Sequence, residues 1–209
     1  HGRSPVGEGE PSIRQMAEDV YALLEQLSID KAIIAGHSMG GYVALSFAHA
    51  YPRMLAGLGL IASQAEADTL EKRQARLLTV REVNRRGLKG VLATMPAKMS
   101  PRVSIQNAVH DIIADASRAG VIYALKAMAD RPSAIDWLTE IEVPAVVVSG
   151  LQDSFMPRER GITLVQMLGR AWLVEIPDTG HMPMLEEPQV VADALGQVLD
   201  CVQTPGCQG

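Results

Sequence analysis

The stretch Lys31-Ala32-Ile33-Ile34-Ala35-Gly36-His37-Ser38-Met39-Gly40-Gly41-Tyr42-Val43-Ala44-Leu45 decides how the chain is read. Residues 31–35 read as a short apolar strand. Gly41 to Ala48 reads as a helix. A serine between glycines at a strand-to-helix junction is the arrangement that lifts a hydroxyl above the edge of a sheet. The serine backbone must be strained to do so. Residues two before and two after it, Gly36 and Gly40, are expected to lack side chains because strand and helix approach closely there. The bland alternative is a glycine-rich turn with a solvent-facing serine. The strand before and the helix after favour the strained turn.

Upstream, Pro11-Ser12 opens a helix, with Ser12 as N-cap and Gln15 three residues on in a capping-box pattern. Ile13, Met16, Ala17, Val20, Leu24 and Leu27 fall on its inner face. Downstream, Leu55 to Ser63 is a continuous apolar run, suited to a parallel strand buried on both faces. The order helix, strand, helix, strand implies a layered α/β sheet. Residues 64–138 then read as helices without a convincing strand: 69–86, 88–99, 103–119 and 121–129. This is expected to be a helical insert over the ends of the sheet. Met54, Met95, Met99 and Met128 either line an adaptable pocket there or fill the core, and core filling is the ordinary role for each. The α/β pattern resumes with strands at Val143–Gly150 and Ala171–Ile176 and helices at Arg158–Leu168 and Gln189–Cys201. The last helix has Val190, Val191, Ala194, Leu195 and Val198 inward.

A serine hydroxyl needs a base within hydrogen-bond reach, and that base needs an orienting acid. In a parallel sheet the carboxyl ends of the strands share one edge. Asp153 follows the 143–150 strand, and His181 follows the 171–176 strand. The order Ser, Asp, His is the one this strand arrangement produces. Ser38 is therefore the candidate nucleophile, His181 the base and then acid, and Asp153 the group that orients His181. Asp178 sits near His181 in sequence but within the turn, where it shapes the chain. Among the other histidines, His49 and His110 read as structural or exposed, and His1 is terminal. His37 abuts the serine and packs or lines the site. The Met39 N–H, at the start of a helix, is the candidate oxyanion donor. His37 and Met182 complete the candidate substrate-binding set.

The 209 residues suffice for one domain with an inserted subdomain. Net charge is −5, without the basic excess of a nucleic-acid binder. No apolar run approaches the roughly 20 residues of a membrane span, and no leader is visible. The expected setting is the cytoplasm, with no nucleic-acid or membrane partner. The two cysteines, Cys201 and Cys207, could close a small loop, but two free thiols are the ordinary reading. No His/Cys spacing suggests a metal.

With these residues in view, the chain resembles the α/β-hydrolase superfamily, and within it small esterases and 3-oxoadipate enol-lactonase-like hydrolases. The resemblance is carried by His1-Gly2-Arg3-Ser4, Gly36 to Gly41, Ala65-Glu66-Ala67-Asp68, Ala127-Met128-Ala129-Asp130-Arg131-Pro132, Gly150-Leu151-Gln152-Asp153, Gly180-His181-Met182-Pro183 and Glu186-Glu187-Pro188. It implies an α/β fold: a mostly parallel sheet flanked by helices, with a helical cap insert. Residues 1–63 and 139–209 would form the core and 64–138 the cap. It implies hydrolysis of a small-molecule carboxylic ester or lactone through an acyl-serine, with no cofactor. The serine at 38 separates the chain from dehalogenase and epoxide-hydrolase relatives, which place Asp there. The family's His-Gly-Arg-Ser follows the fourth strand, so on this reading the N-terminal strands and the second oxyanion donor are missing from this chain. Loss of one such donor typically costs about 10²–10³ in rate. The 31–35 strand would then be a bare edge, paired in a homodimer or with strands elsewhere. The truncated start also supports a different class of function, a ligand-binding or scaffold protein with little turnover.

Overall fold

Among the described residues four short apolar strands, each preceded or followed by helix, pair in one sheet. The computed structural model describes residues 4–204. The strands are β1 (Ala32–His37), β2 (Leu55–Ile61), β3 (Ala145–Gly150) and β4 (Ala171–Ile176). They lie in the order β1-β2-β3-β4, and every pair is parallel. The register sets Gly36 opposite Leu60, Leu60 opposite Val147, and Val147 opposite Leu173. All four carboxyl ends therefore reach the same edge. Among the described residues β1 has a strand on one side only.

The helices are α1 (Ile13–Gln26), α2 (Met39–Ala50), α3 (Leu70–Arg86), α4 (Lys89–Met99), α5 (Val103–Ala114), α6 (Arg118–Ala129), α7 (Arg158–Met167), α8 (Pro183–Glu186) and α9 (Pro188–Gln203). Strand alternation builds a core on each face of the sheet. Leu58, Leu60, Ala145 and Val147 join Ala17 and Leu24 of α1, Leu45 and Phe47 of α2, and Leu164 of α7 on one face. Ile61, Val146, Val148 and Ile176 meet Val191, Ala194 and Val198 of α9 on the other. The strand β3, buried at every position, explains its near-continuous valine run.

Local details depart from expectation in instructive ways. Ser12 caps α1 by accepting from the Gln15 N–H at 3.3 Å. The reciprocal half of the capping box is not made, because Gln15 Nε2 donates to Asp19 Oδ1 at 3.3 Å. Leu27 and Val190 are exposed rather than inward: Leu27 is the C-cap residue just past the end of α1, and Val190 lies at the margin of the arc that α9 buries. The helical stretch expected at 103–119 ends at Ala114, and α6 begins afresh with Ser117 as N-cap, accepting from the Gly120 N–H at 3.0 Å. The four helices α3 to α6 lie between β2 and β3, with no strand among them. The four methionines do not share one pocket. Met54 packs on the α2-side core, Met128 lies near α2, and Met95 lines a groove between α3 and α4. Cys201 is buried on α9 and is disulfide-bonded, which corrects the expectation of a free thiol there; Cys207 lies outside the described residues.

Candidate active site

The turn between β1 and α2 holds Ser38 at φ 50° and ψ −111°, a left-handed conformation costly for a residue with a Cβ. Two contacts hold it there. The Ser38 N–H donates to the Ile61 carbonyl at 2.8 Å, and its carbonyl accepts from Ser63 Oγ at 2.9 Å. Close approach does demand glycine at 36, where a Cβ would lie 2.0 Å from the Gly40 carbonyl oxygen. The second tight position is Gly41, not Gly40. A Cβ on Gly41 would lie 2.2 Å from Ser63 Oγ, whereas Gly40 faces open space. The hydroxyl of Ser63 thus fills the room that Gly41 leaves. Ser63 is 3% exposed, and no sequence motif marked it.

Asp153 lies three residues past β3, and His181 five residues past β4. Their loops are stitched together. The Gln152 N–H donates to the Thr179 carbonyl at 2.8 Å, and a Cβ on Gly150 would lie 2.3 Å from the Gly180 carbonyl oxygen. The result is a continuous hydrogen-bonded path. His181 Nε2 is 2.8 Å from Ser38 Oγ, and His181 Nδ1 is 2.7 Å from Asp153 Oδ2. The side chains of His181 and Asp153 are 2% and 1% exposed. A carboxylate only accepts, so His181 carries its proton on Nδ1 and presents the Nε2 lone pair to the serine hydroxyl. Asp153 Oδ1 accepts from the N–H groups of Phe155 at 2.7 Å and Met156 at 3.0 Å. Those two bonds fix which oxygen faces the imidazole. Asp178 is turned elsewhere: at φ 53° in the turn, its Oδ1 accepts from Gln152 Nε2 at 2.9 Å.

A family model described as the alpha/beta hydrolase family matches residues 1–194. The chain belongs to the alpha/beta hydrolase family. Among solved structures, a thermophilic esterase from Thermogutta terrifontis superposes with a TM-score of 0.92 at 31% identity, covering 97% of this chain and 77% of that one. The enol-lactonase from Burkholderia xenovorans shares the fold, with a TM-score of 0.84 at 23% identity over 96% of this chain and 77% of that one. In sequence, 3-oxoadipate enol-lactonase 2 of Acinetobacter baylyi is 28% identical over 95% of this chain and 75% of that protein. The acetyltransferase component of the acetoin cleaving system of Pseudomonas putida is 30% identical over 91% of this chain, which spans 51% of that protein's length.

The remaining expected residues of this α/β-hydrolase site take distinct positions. Met39 opens α2, so its N–H has no acceptor within the helix and lies at the positive end of the dipole. The Met182 N–H donates to Glu186 Oε1 at 3.2 Å, so it is occupied. His37 turns its Nε2–H to the His181 carbonyl at 2.6 Å, and its ring lies 4.9 Å from that of His181. Burial, and then the neighbouring His181, push the His37 pKa down to about 4 from 6.5. His37 is therefore neutral at ordinary pH, a donor that clasps the loop carrying His181. Among the residues that sequence reading passed over, Phe155 stands 5.0 Å ring to ring from His181. Among the described residues no cluster of His, Cys, Asp and Glu could hold a metal, and no helix is long and apolar enough to cross a membrane.

The lowered His37 pKa has a signed consequence. The unfolded chain binds a proton near pH 6.5 that the folded chain refuses until about pH 4. The stabilisation is complete above 6.5 and is lost as pH falls through that window. Between about pH 7.5 and about pH 4.5 it amounts to roughly 2–3 kcal/mol. Urea unfolding at the two pH values should show a drop in stability for the wild type that His37→Gln reduces by about that amount. Equal drops in both proteins would remove this role from His37.

Proposed function

We propose that the protein is a serine hydrolase of small carboxylic esters or lactones, acting through an acyl-serine intermediate. The observation that carries this reading is the continuous hydrogen-bonded path from Ser38 Oγ through His181 to Asp153, at 2.8 and 2.7 Å. In the first half-reaction Ser38 Oγ bonds to the carbonyl carbon while His181 Nε2 takes its proton. The resulting oxyanion sits against the Met39 N–H and the start of α2. Collapse breaks the acyl–oxygen bond, and His181 returns the proton to the departing alkoxide. In the second half, water gives a proton to His181 as it attacks the acyl carbon, and Ser38 leaves with that proton. Asp153 keeps the imidazole in the required tautomer and stabilises its charged form. A lactone follows the same course and opens to a hydroxy acid.

The named activities of the Thermogutta esterase and the Acinetobacter enol-lactonase support an ester or lactone as the substrate. An apolar acyl or alkyl part fits the partly buried cluster of Met39, Val43, Tyr123, Met128 and Phe155 beside the site. Residues 64–138 serve as a cap over the α/β core formed by the segments on either side of them, with specificity set by α3 to α6. Turnover of a p-nitrophenyl ester by the wild type, beside Ser38→Ala and His181→Ala, tests the reading. Release of nitrophenol by the wild type alone supports it, and equal rates in all three proteins contradict it.

A further inference from the structure

Glu186 is a buried carboxylate with no part in the steps above. Its side chain is fully inaccessible, at 0% exposure, and it lies at the end of α8. It grips the backbone on both sides of His181. Oε1 accepts from the Gly180 N–H at 3.0 Å and from the Met182 N–H at 3.2 Å, and Oε2 also accepts from Gly180 at 3.1 Å. The amide between them, that of His181 itself, donates to the Met99 carbonyl at 2.8 Å. Met99 ends α4, so the base is tied to the helical segment as well as to α8.

A buried carboxylate needs a counter-charge. Arg102, at the junction between α4 and α5, supplies it. Arg102 Nε stands 3.9 Å from Glu186 Oε2, an ion pair rather than a hydrogen bond. The same guanidinium donates to the Glu186 carbonyl at 2.6 Å and to Glu187 Oε1 at 2.5 Å. Arg102 is itself anchored, its N–H on Ser100 Oγ at 3.1 Å, while Gln106 Nε2 holds the Ser100 carbonyl at 2.9 Å.

We infer that Glu186 is a positioning residue for His181 and that Arg102 links it to the helical segment, so that the α4–α5 junction sets where the base stands. The inference rests on the proposed role of His181. Displacing a reacting group by about 1 Å can cost on the order of 10² in rate, and three consecutive amides held in this way leave the imidazole little freedom. A glutamine at 186 keeps the shape of the side chain. Whichever way its amide turns, an NH₂ donor then faces an N–H donor.

The test compares wild type, Glu186→Gln, Arg102→Met and the double variant by p-nitrophenyl ester kinetics and by the NMR signal of the His181 Nδ1 proton. The expected result is a fall in kcat of about 10- to 100-fold for Glu186→Gln and about 3- to 10-fold for Arg102→Met. KM should stay within about twofold. The double variant should be no slower than Glu186→Gln, because both changes act through one group. The Nδ1 signal should move or broaden in each single variant. An unchanged kcat in Glu186→Gln, losses that multiply in the double variant, or an unmoved Nδ1 signal would overturn the inference. Absence of turnover in the wild type would refute the proposed function and leave the Nδ1 signal to decide the role of Glu186. Should Glu186→Gln fail to fold, Arg102→Met decides, since its side chain is 37% exposed.

Discussion

Ser38→Ala should turn over a p-nitrophenyl ester about 10⁵- to 10⁶-fold more slowly than wild type, and His181→Ala should fall by a similar factor. The two losses should not multiply in the double variant, since the proposed nucleophile and base would act as one unit. Both variants should remain folded. Alanine at 38 retains the Cβ that the strained turn already accommodates at φ 50°, and the contacts from Ile61 and Ser63 are to its backbone. The size of the loss follows from geometry. On the proposed mechanism, loss of Oγ leaves the acyl group no covalent acceptor, and loss of the imidazole leaves nothing at 2.8 Å to take the serine proton. Thermal midpoints measured beside the rates separate chemistry from stability.

Asp153→Asn should lower kcat by about 10⁴ with little change in KM. The cause can be read from the hydrogen bonds. The N–H groups of Phe155 and Met156 both point at Oδ1, so the carbonyl oxygen of asparagine takes that place. Its NH₂ then faces His181 Nδ1, which must accept. The imidazole proton moves to Nε2 and meets the serine hydroxyl as a second donor, unable to remove its proton. The variant keeps the shape of the site and loses the tautomer. Stopped-assay kinetics on the purified variant check this, and a loss under about tenfold would mean that Asp153 does not set the tautomer.

Much of this arrangement is legible without a structure. The apolar runs at 55–61 and 145–150 announce buried parallel strands, and chemistry-bearing residues just past strand ends belong to one sheet edge. Ser38, Asp153 and His181 follow from that rule, and the structure brings them within 2.8 Å of one another along the path. What stays hidden depends on contacts between segments remote in sequence. The hydroxyl of Ser63 fills the space at Gly41, so the second tight glycine falls one residue later than the pentapeptide suggests. The donation from His37 to the His181 carbonyl joins residues 144 apart. Glu186 stands in a segment that the family resemblance marks, yet its grip on Gly180 and Met182 depends on how α8 turns back under the His181 loop. Local patterning cannot show such returns, because each partner alone is an ordinary polar residue.

Labelling with a fluorophosphonate, followed by mass spectrometry of the peptides, tests whether Ser38 is an activated nucleophile and requires no knowledge of the substrate. The reagent phosphonylates a serine only where a base activates the hydroxyl. One adduct is expected, on Ser38, formed rapidly in wild type, far more slowly in His181→Ala, and not at all in Ser38→Ala. An adduct on another residue, or a Ser38 labelled no faster in wild type than in His181→Ala, would contradict that role of Ser38.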